Sequence, residues 1–233
     1  MQRIEQATSV KLVVATALAV LTLTSCGGGA KKAEPTPAPS RLVDVAATCG
    51  GAFRTEAATA TKLLGASQVT PGPANYQSTV EHAATALGAD VPGDGGATFS
   101  HRLCAVHPKG STAWLSITFM WGQYNDAPAT TQSSSGSSEY NGIGYQASSR
   151  DDDALIDFSC VIRSAKRGVY DGRGYYIKAT ADTEGLDALG QKAKREAQLR
   201  VLHAASFSVA TALHCSTNLP TTLGALKPLP LDQ

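Results

Sequence analysis

The sequence is poor in aromatic residues, has almost no net charge and contains no apolar run long enough to cross a membrane. Aromatic residues make up 6% of its 233 residues, which argues against a broad surface for stacking bases or sugars. Its 20 basic and 19 acidic residues leave a formal net charge of +1. Because a nucleic-acid-binding protein is expected to carry a basic face, this balance argues against a nucleic-acid partner.

The usual short motifs of catalysis and metal binding are also missing. The chain has no HExxH zinc motif, no GxSxG nucleophile elbow and no CxxC pair. No two histidines stand four residues apart on one helix; the five are His82, His101, His107, His203 and His214. We therefore expect no catalytic residue, no metal site and no cofactor, and we expect that the protein is not an enzyme.

Near the N-terminus, a short uncharged run follows two basic residues, Arg3 and Lys11. Residues 12–23 read LVVATALAVLTL. As a helix this run would be about 18 Å long at ~1.5 Å per residue, whereas the hydrocarbon core of a bilayer is ~30 Å thick. It is therefore too short for a comfortable transmembrane anchor and predicts the apolar region of a signal peptide, residues 1–25.

The next four residues, Leu23-Thr24-Ser25-Cys26, resemble the bacterial lipobox. In lipoproteins with this motif the cysteine thiol receives a diacylglycerol, and cleavage makes the cysteine the new N-terminus. A general secretory signal with a coincidental cysteine is the alternative. Lipidation at Cys26 predicts a membrane partner held through acyl chains, with the protein on the extracytoplasmic face of the cell membrane.

A tether should follow the lipidated cysteine, so that residues 26–40 form one segment. Residues 27–40, GGGAKKAEPTPAPS, combine flexible glycines with alternating prolines and cannot bury a core. Removing residues 1–25 takes away Arg3, Lys11 and Glu5 and leaves 18 basic and 18 acidic residues. The mature chain is thus formally neutral.

The remaining cysteines are even in number and evenly spaced. Cys49, Cys104, Cys160 and Cys215 are separated by 55, 56 and 55 residues. Outside the cytoplasm such a set should form two disulfides. Two connectivities have weight: Cys104–Cys160 with Cys49–Cys215, or Cys49–Cys104 with Cys160–Cys215.

Hydrophobic periodicity divides residues 41–222 into helices at the ends and strands in the middle. The pattern predicts helices at 53–65, 76–87 and 186–215, a hairpin of strands 97–106 and 113–121, a polar loop at 122–150, and a second hairpin of strands 154–163 and 175–181. This order predicts a single α+β domain. Its antiparallel sheet should have about four strands, flanked by an N-terminal and a C-terminal helix and stapled by two disulfides. Residues 223–233 are assigned to a C-terminal tail.

Several of these features together resemble a known class of protein. They are the lipobox, the Pro-rich tether, Cys49-Gly50-Gly51 at the start of a helix, the strand segment Asp157-Phe158-Ser159-Cys160, and a late Ala-rich helix ending in Cys215. The chain resembles uncharacterised secreted actinobacterial lipoproteins of the Streptomyces type over most of its mature length. The resemblance implies an α+β domain on the cell envelope and transfers no catalytic residue.

One acidic cluster, Asp151-Asp152-Asp153, has three interpretations. It could hold calcium or magnesium, but no EF-hand glycine and distal glutamate follow in register. It could supply acid and base groups, together with a histidine, to a hydrolase acting on envelope polymer. A solvated turn before a strand is the interpretation we favour.

These features lead to one functional expectation and two alternatives. We expect a noncatalytic binding or interaction domain of the cell envelope, with an unidentified envelope protein or a small ligand as its partner. The alternatives are the extracytoplasmic hydrolase and a structural subunit of an envelope complex, which would need an exposed apolar patch.

Overall fold

A computed structural model describes residues 41–72, 79–91, 99–123, 137–164, 168–170 and 175–229. The predicted signal peptide and tether, including Cys26, lie outside these residues.

One antiparallel sheet of eight strands dominates the described chain. The strands are β1 (Val43–Asp44), β2 (Gln68–Pro71), β3 (Ser100–Pro108), β4 (Trp114–Gln123), β5 (Ser138–Tyr140), β6 (Gln146–Ser149), β7 (Asp153–Phe158) and β10 (Tyr175–Glu184). Their order across the sheet is β1-β2-β3-β4-β10-β7-β6-β5. Strand β10 therefore lies between β4 and β7 and makes ten Cα pairs with β4, from Tyr175 opposite Gln123 to Glu184 opposite Trp114.

A second, three-stranded sheet contains β8 (Val161–Ser164), β9 (Gly168–Tyr170) and β11 (Cys215–Ser216), in the order β11-β8-β9. The predicted strand 154–163 is thus two strands, one in each sheet. Asn218 fixes the break between them, because its backbone N–H donates to Ser159 Oγ and its Oδ1 accepts from Ser159 N–H, both at 2.9 Å.

The prediction of an α+β domain with about four strands flanked by two helices is wrong. The main sheet has eight strands, and a second sheet has three. The error arose in segments with weak local patterns. The predicted polar loop contains β5 and β6, and the short strands β1 and β2 were not anticipated.

Three α-helices occur in the described ranges: α1 (Ala57–Leu64), α2 (Val80–Ala89) and α3 (Gln191–Ala212). Short 3-10 segments, Val45–Gly51 and Arg54–Glu56, precede α1. Gly65 caps the C-terminus of α1, and its φ of +65° is a conformation that glycine adopts without strain. Thr79 caps the N-terminus of α2, where its hydroxyl accepts a hydrogen bond from His82 N–H at 3.2 Å. No described helix is both long and apolar enough to serve as a membrane span.

Helices α2 and α3 pack on one face of the eight-stranded sheet, α1 packs against α3, and together they form the core. The inward residues of β4, namely Leu115, Ile117, Phe119 and Trp121, are at most 1% exposed. The indole N–H of Trp121 donates to the carbonyl of Leu87 in α2 at 2.9 Å. Side chains of this size each contribute roughly 1.5–3 kcal/mol when they are fully buried.

Two disulfides staple the fold, as predicted. Cys49 bonds to Cys104 and Cys160 bonds to Cys215, so each half of the domain closes on itself. The first bridge ties the 3-10 segment before α1 to β3, and the second ties the residue just before β8 to β11 after α3. Of the two connectivities left open by the sequence, the structure has the one with two local loops.

Candidate functional site

The sheet has a second face on which no described helix packs. Along β10 the side chains of Ile177, Ala179 and Ala181 are fully buried toward the helices, whereas Lys178 and Thr180 between them are half-buried. We name the opposite side, formed by the outward side chains of β3, β4, β10, β7 and β6, the helix-free face. One row across it, in register, is Gln146, Asp157, Lys178, Met120 and Ser100.

Asp157 is the most unusual group on the helix-free face. It lies opposite Lys178 of β10 and Gln146 of β6, and it is only 3% exposed. Its Oδ1 has no hydrogen-bond partner within the described part of the chain. Burial raises the pKa of Asp157 to about 6, and the positive charge of Lys178 opposes part of this effect. Near neutral pH the face therefore holds a poorly solvated carboxylate beside an ammonium group.

Replacing Asp157 with asparagine should stabilise the protein at alkaline pH. Because the folded protein binds this proton more tightly than the unfolded chain, stability falls as pH rises from about 4 through about 6. One pKa unit corresponds to 1.36 kcal/mol, so the wild type loses about 3 kcal/mol above that window. Urea unfolding at pH 8 should show Asp157→Asn as more stable by about 2 to 3 kcal/mol, with little difference at pH 4.

The exposed Asp187 provides the control, since Asp187→Asn changes the same chemical group at the surface. That variant should follow the wild type at both pH values. A difference between Asp157→Asn and wild type that does not change with pH would show that the Asp157 carboxyl is not the titrating group.

An acidic cleft of about 570 Å³ opens near the start of β7 and the end of β10. Its lining comprises Trp114, Arg150, Asp152, Asp153, Asp182, Thr183, Glu184 and Gly185. Asp153 and Asp182 are direct cross-strand partners, an arrangement of like charges that is destabilising. Burial, and then the charge of Asp153, raise the pKa of Asp182, while Arg102 opposes the shift. The indole N–H of Trp114 donates to Glu184 Oε2 at 2.6 Å on the same face.

The predicted acidic cluster is divided between this cleft and helix α3. Asp151 Oδ1 accepts from Arg195 Nε at 3.0 Å and from Arg195 Nη2 at 2.7 Å. Asp152 Oδ1 lies 3.4 Å from Lys194 Nζ. Two of the three carboxylates therefore hold the turn between β6 and β7 against α3.

The histidines do not join the acidic cluster. His101 Nε2 lies 2.6 Å from Asp90 Oδ2, His107 Nδ1 lies 3.1 Å from the carbonyl of Ala113, and His203 Nε2 donates to the carbonyl of Pro220 at 2.8 Å. Burial lowers the pKa of His203. His82 and His214 are exposed.

No histidine lines the acidic cleft, and the described residues contain no group of three His, Cys, Asp or Glu side chains that could hold a metal ion. The hydrolase alternative stays a prediction. The combination of a carboxylate with a histidine that it called for does not occur in this cleft, where Asp153 and Asp182 meet instead.

Sequence reasoning did not single out the helix-free face. Asp157, Ser116 and Trp114 occupy outward strand positions, which by pattern alone read as ordinary solvent-facing residues. Ser116 is only 2% exposed, and its Oγ, like Asp157 Oδ1, lacks a hydrogen-bond partner among the described residues.

No protein-family model matches the chain, and no curated protein and no solved structure gives a significant match. Function is therefore inferred from the residues described above.

Proposed function

We propose that the protein is an extracytoplasmic lipoprotein, anchored to the outer face of the cell membrane through lipid on Cys26. The lipobox Leu23-Thr24-Ser25-Cys26 and the Gly- and Pro-rich tether behind it support this proposal. The two disulfides also support it, because disulfides persist in oxidising compartments outside the cytoplasm. The same features underlie the proposed kinship with secreted actinobacterial lipoproteins.

The domain behind the tether is, in this proposal, a noncatalytic binding module that uses its helix-free face. One observation carries the binding role. The acidic cleft of about 570 Å³ opens on this face, between outward side chains that include Trp114, Asp153 and Asp182. A concave site lined by a few convergent polar groups is typical of a ligand-binding surface. The partner we propose is an envelope protein or a small polar ligand.

The assembly-subunit alternative has less support. It requires a contiguous exposed apolar patch, whereas Phe99 at 59% and Tyr145 at 54% are the large hydrophobic residues exposed in the described chain. Phe99 precedes β3 and Tyr145 precedes β6, and three strands lie between those two.

Intact mass of the membrane-extracted protein tests the anchor. We expect a chain that begins at Cys26, carries the added mass of a diacylglycerol-modified N-terminus and gains the mass of four hydrogen atoms on reduction. A Cys26→Ala variant should lose the lipid mass and leave the membrane fraction. Recovery of a water-soluble chain that begins at Met1 and has reduced thiols would contradict the proposal.

Capture of envelope material on the immobilised protein tests the binding role. Lys178→Glu places a second negative charge beside Asp157 and should reduce retention at least tenfold. Lys192→Glu makes the same charge change on an exposed position of α3 and should retain as much material as the wild type. If the wild type retains no envelope component, or if both variants behave alike, the helix-free face is not the binding surface.

A further inference from the structure

The last described residues, 219–229, form a segment that we name the strap, which bends at Leu219 and at Thr221–Thr222 and has no further bend up to Leu229. Leu223, Leu226 and Leu229 are half-buried, and the residues between them are exposed. A spacing of three residues matches the period of an extended polyproline II chain. Pro220 and Pro228 are compatible with that conformation because proline fixes φ near −65°. The strap thus presents every third side chain to the domain.

Helix α3 holds the first part of the strap by its backbone. Arg200 Nη1 donates to the carbonyl of Leu223 at 3.2 Å, and Arg200 Nη2 donates to the carbonyl of Gly224 at 2.5 Å. His203 donates to the carbonyl of Pro220 at 2.8 Å. Leu223 and Leu226 pack against the hydrophobic core. Main-chain carbonyls and apolar anchors are features that any extended peptide of suitable sequence can provide.

The last part of the strap pairs with an edge of the eight-stranded sheet. Strand β5 is the outermost strand on that side. Leu229 N–H donates to the carbonyl of Glu139 at 2.7 Å, and Pro228 pairs with Tyr140 in an antiparallel bridge. Alternate residues of a strand direct their N–H groups to opposite sides. Since Leu229 directs its N–H toward β5, the N–H of residue 228 would point away from the sheet, but Pro228 has no N–H. The strap therefore covers the edge without offering a donor there for another strand.

We infer that the edge of β5 and the adjoining surface of α3 form a binding site for an extended polypeptide, and that the strap occupies this site in cis. The ligand class is a segment with an apolar side chain at every third position and proline between them. Addition of a segment to a sheet edge is a recurring mode of peptide recognition, in which the backbone provides affinity and side-chain pockets provide specificity. This inference goes beyond the proposed function and depends on neither the lipid anchor nor the helix-free face.

Peptide binding to the full chain tests the inference. The probe is a fluorescein-labelled synthetic peptide of residues 222–233, TLGALKPLPLDQ, followed by fluorescence anisotropy. In a full chain with Leu223→Asn and Leu226→Asn the strap loses both core anchors, and the peptide should bind at least ten times more tightly than to the wild type. A peptide with the same two substitutions is the control ligand, and a chain with Thr221→Asn and Thr222→Asn, both exposed, is the control protein.

Equal affinity of the peptide for wild type and the Leu223/Leu226 variant, or no binding to that variant, overturns the inference. Hydrogen exchange on a full chain with Arg200→Ala provides a second measurement that does not depend on altered strap residues. The amide of Leu229, which donates to Glu139, should exchange at least ten times faster than in the wild type, while β7 and β10 keep their protection. If exchange in the strap is unchanged, α3 does not hold it in place. If exchange in β7 and β10 becomes faster by the same factor, the strap does not open separately from the domain.

Discussion

Removal of either disulfide should lower the free energy of unfolding by about 4 kcal/mol. The bridges Cys49–Cys104 and Cys160–Cys215 both span a sequence separation of 55 residues. In the chain-entropy model a cross-link stabilises by restricting the unfolded chain, and a loop of this size corresponds to about 4 kcal/mol. Typical domains are stable by only 5–15 kcal/mol, so either loss is a large fraction of the total.

The equal loop lengths make the two bridges controls for each other. Urea unfolding of the double variants Cys49→Ala/Cys104→Ala and Cys160→Ala/Cys215→Ala should give similar losses if the entropy of the unfolded chain dominates. A clearly larger loss for the second pair would indicate a native-state contribution, since Cys160 is fully buried whereas Cys49 is 7% exposed. A loss below about 1 kcal/mol for either pair would contradict the view that both bridges stabilise the fold.

The number of disulfides was predictable, whereas their connectivity was not. An even set of four cysteines outside the cytoplasm implies two bridges. Which sulfurs meet depends on where the chain places Cys49 against β3 and Cys215 against β8, and local spacing carries no information about that. The equal separation of 55 residues within each bonded pair could be related to the disulfides only once the fold was known.

Strands β5 and β6 show why the sheet was underestimated. Their fully buried side chains include only Tyr140, Ala147 and Ser149, so the local pattern resembles a polar loop. Ser149 Oγ donates to Gln198 Oε1 at 3.1 Å, and the side-chain amide of Gln198 donates to Thr183 Oγ1 at 2.7 Å. Gln198 is fully buried and lies 49 residues from Ser149 in the chain. Tertiary contacts of this kind favour strand formation in sequences of low β propensity.

The predicted strand 154–163 failed for a different reason. Its alternation of apolar side chains is continuous through Ile156, Phe158, Cys160 and Ile162, so the pattern alone gives no reason for a break. The bond between Cys160 and Cys215 and the paired hydrogen bonds between Ser159 and Asn218 draw the second half toward β11. Partners about 55–60 residues away in the sequence decide where this strand ends.

The helix-free face illustrates the same limit for function. Outward positions of a strand are polar in most half-exposed sheets, so Asp157 and Ser116 carried no distinguishing signal. Their burial without a partner became visible only when neighbouring strands were in place. The lipobox is the opposite case, because its information is contained in four adjacent residues and the apolar run before them.

Replacing Gly144 with alanine should destabilise the protein by about 3 kcal/mol, far more than the same change at Gly142. Both glycines lie in the turn between β5 and β6 and have positive φ, +78° for Gly142 and +66° for Gly144. A residue with a Cβ loses roughly 1–2 kcal/mol in that conformation. At Gly144 the added Cβ would also collide with the backbone carbonyl oxygen of Asp157, whereas at Gly142 no atom lies within 4 Å.

The collision is costly because the Asp157 carbonyl cannot move freely. It accepts a hydrogen bond from Tyr145 N–H at 2.7 Å, and Asp157 itself is paired in register with β6 and β10. Forcing extra volume into such a packed position typically costs a further 1–3 kcal/mol. Urea unfolding of Gly144→Ala and Gly142→Ala separates the two contributions, since the second variant measures the backbone conformation alone. Equal losses of unfolding free energy for both variants would mean that β7, which carries Asp157, shifts to accommodate the added methyl group. The row of side chains across the helix-free face would then not be rigid.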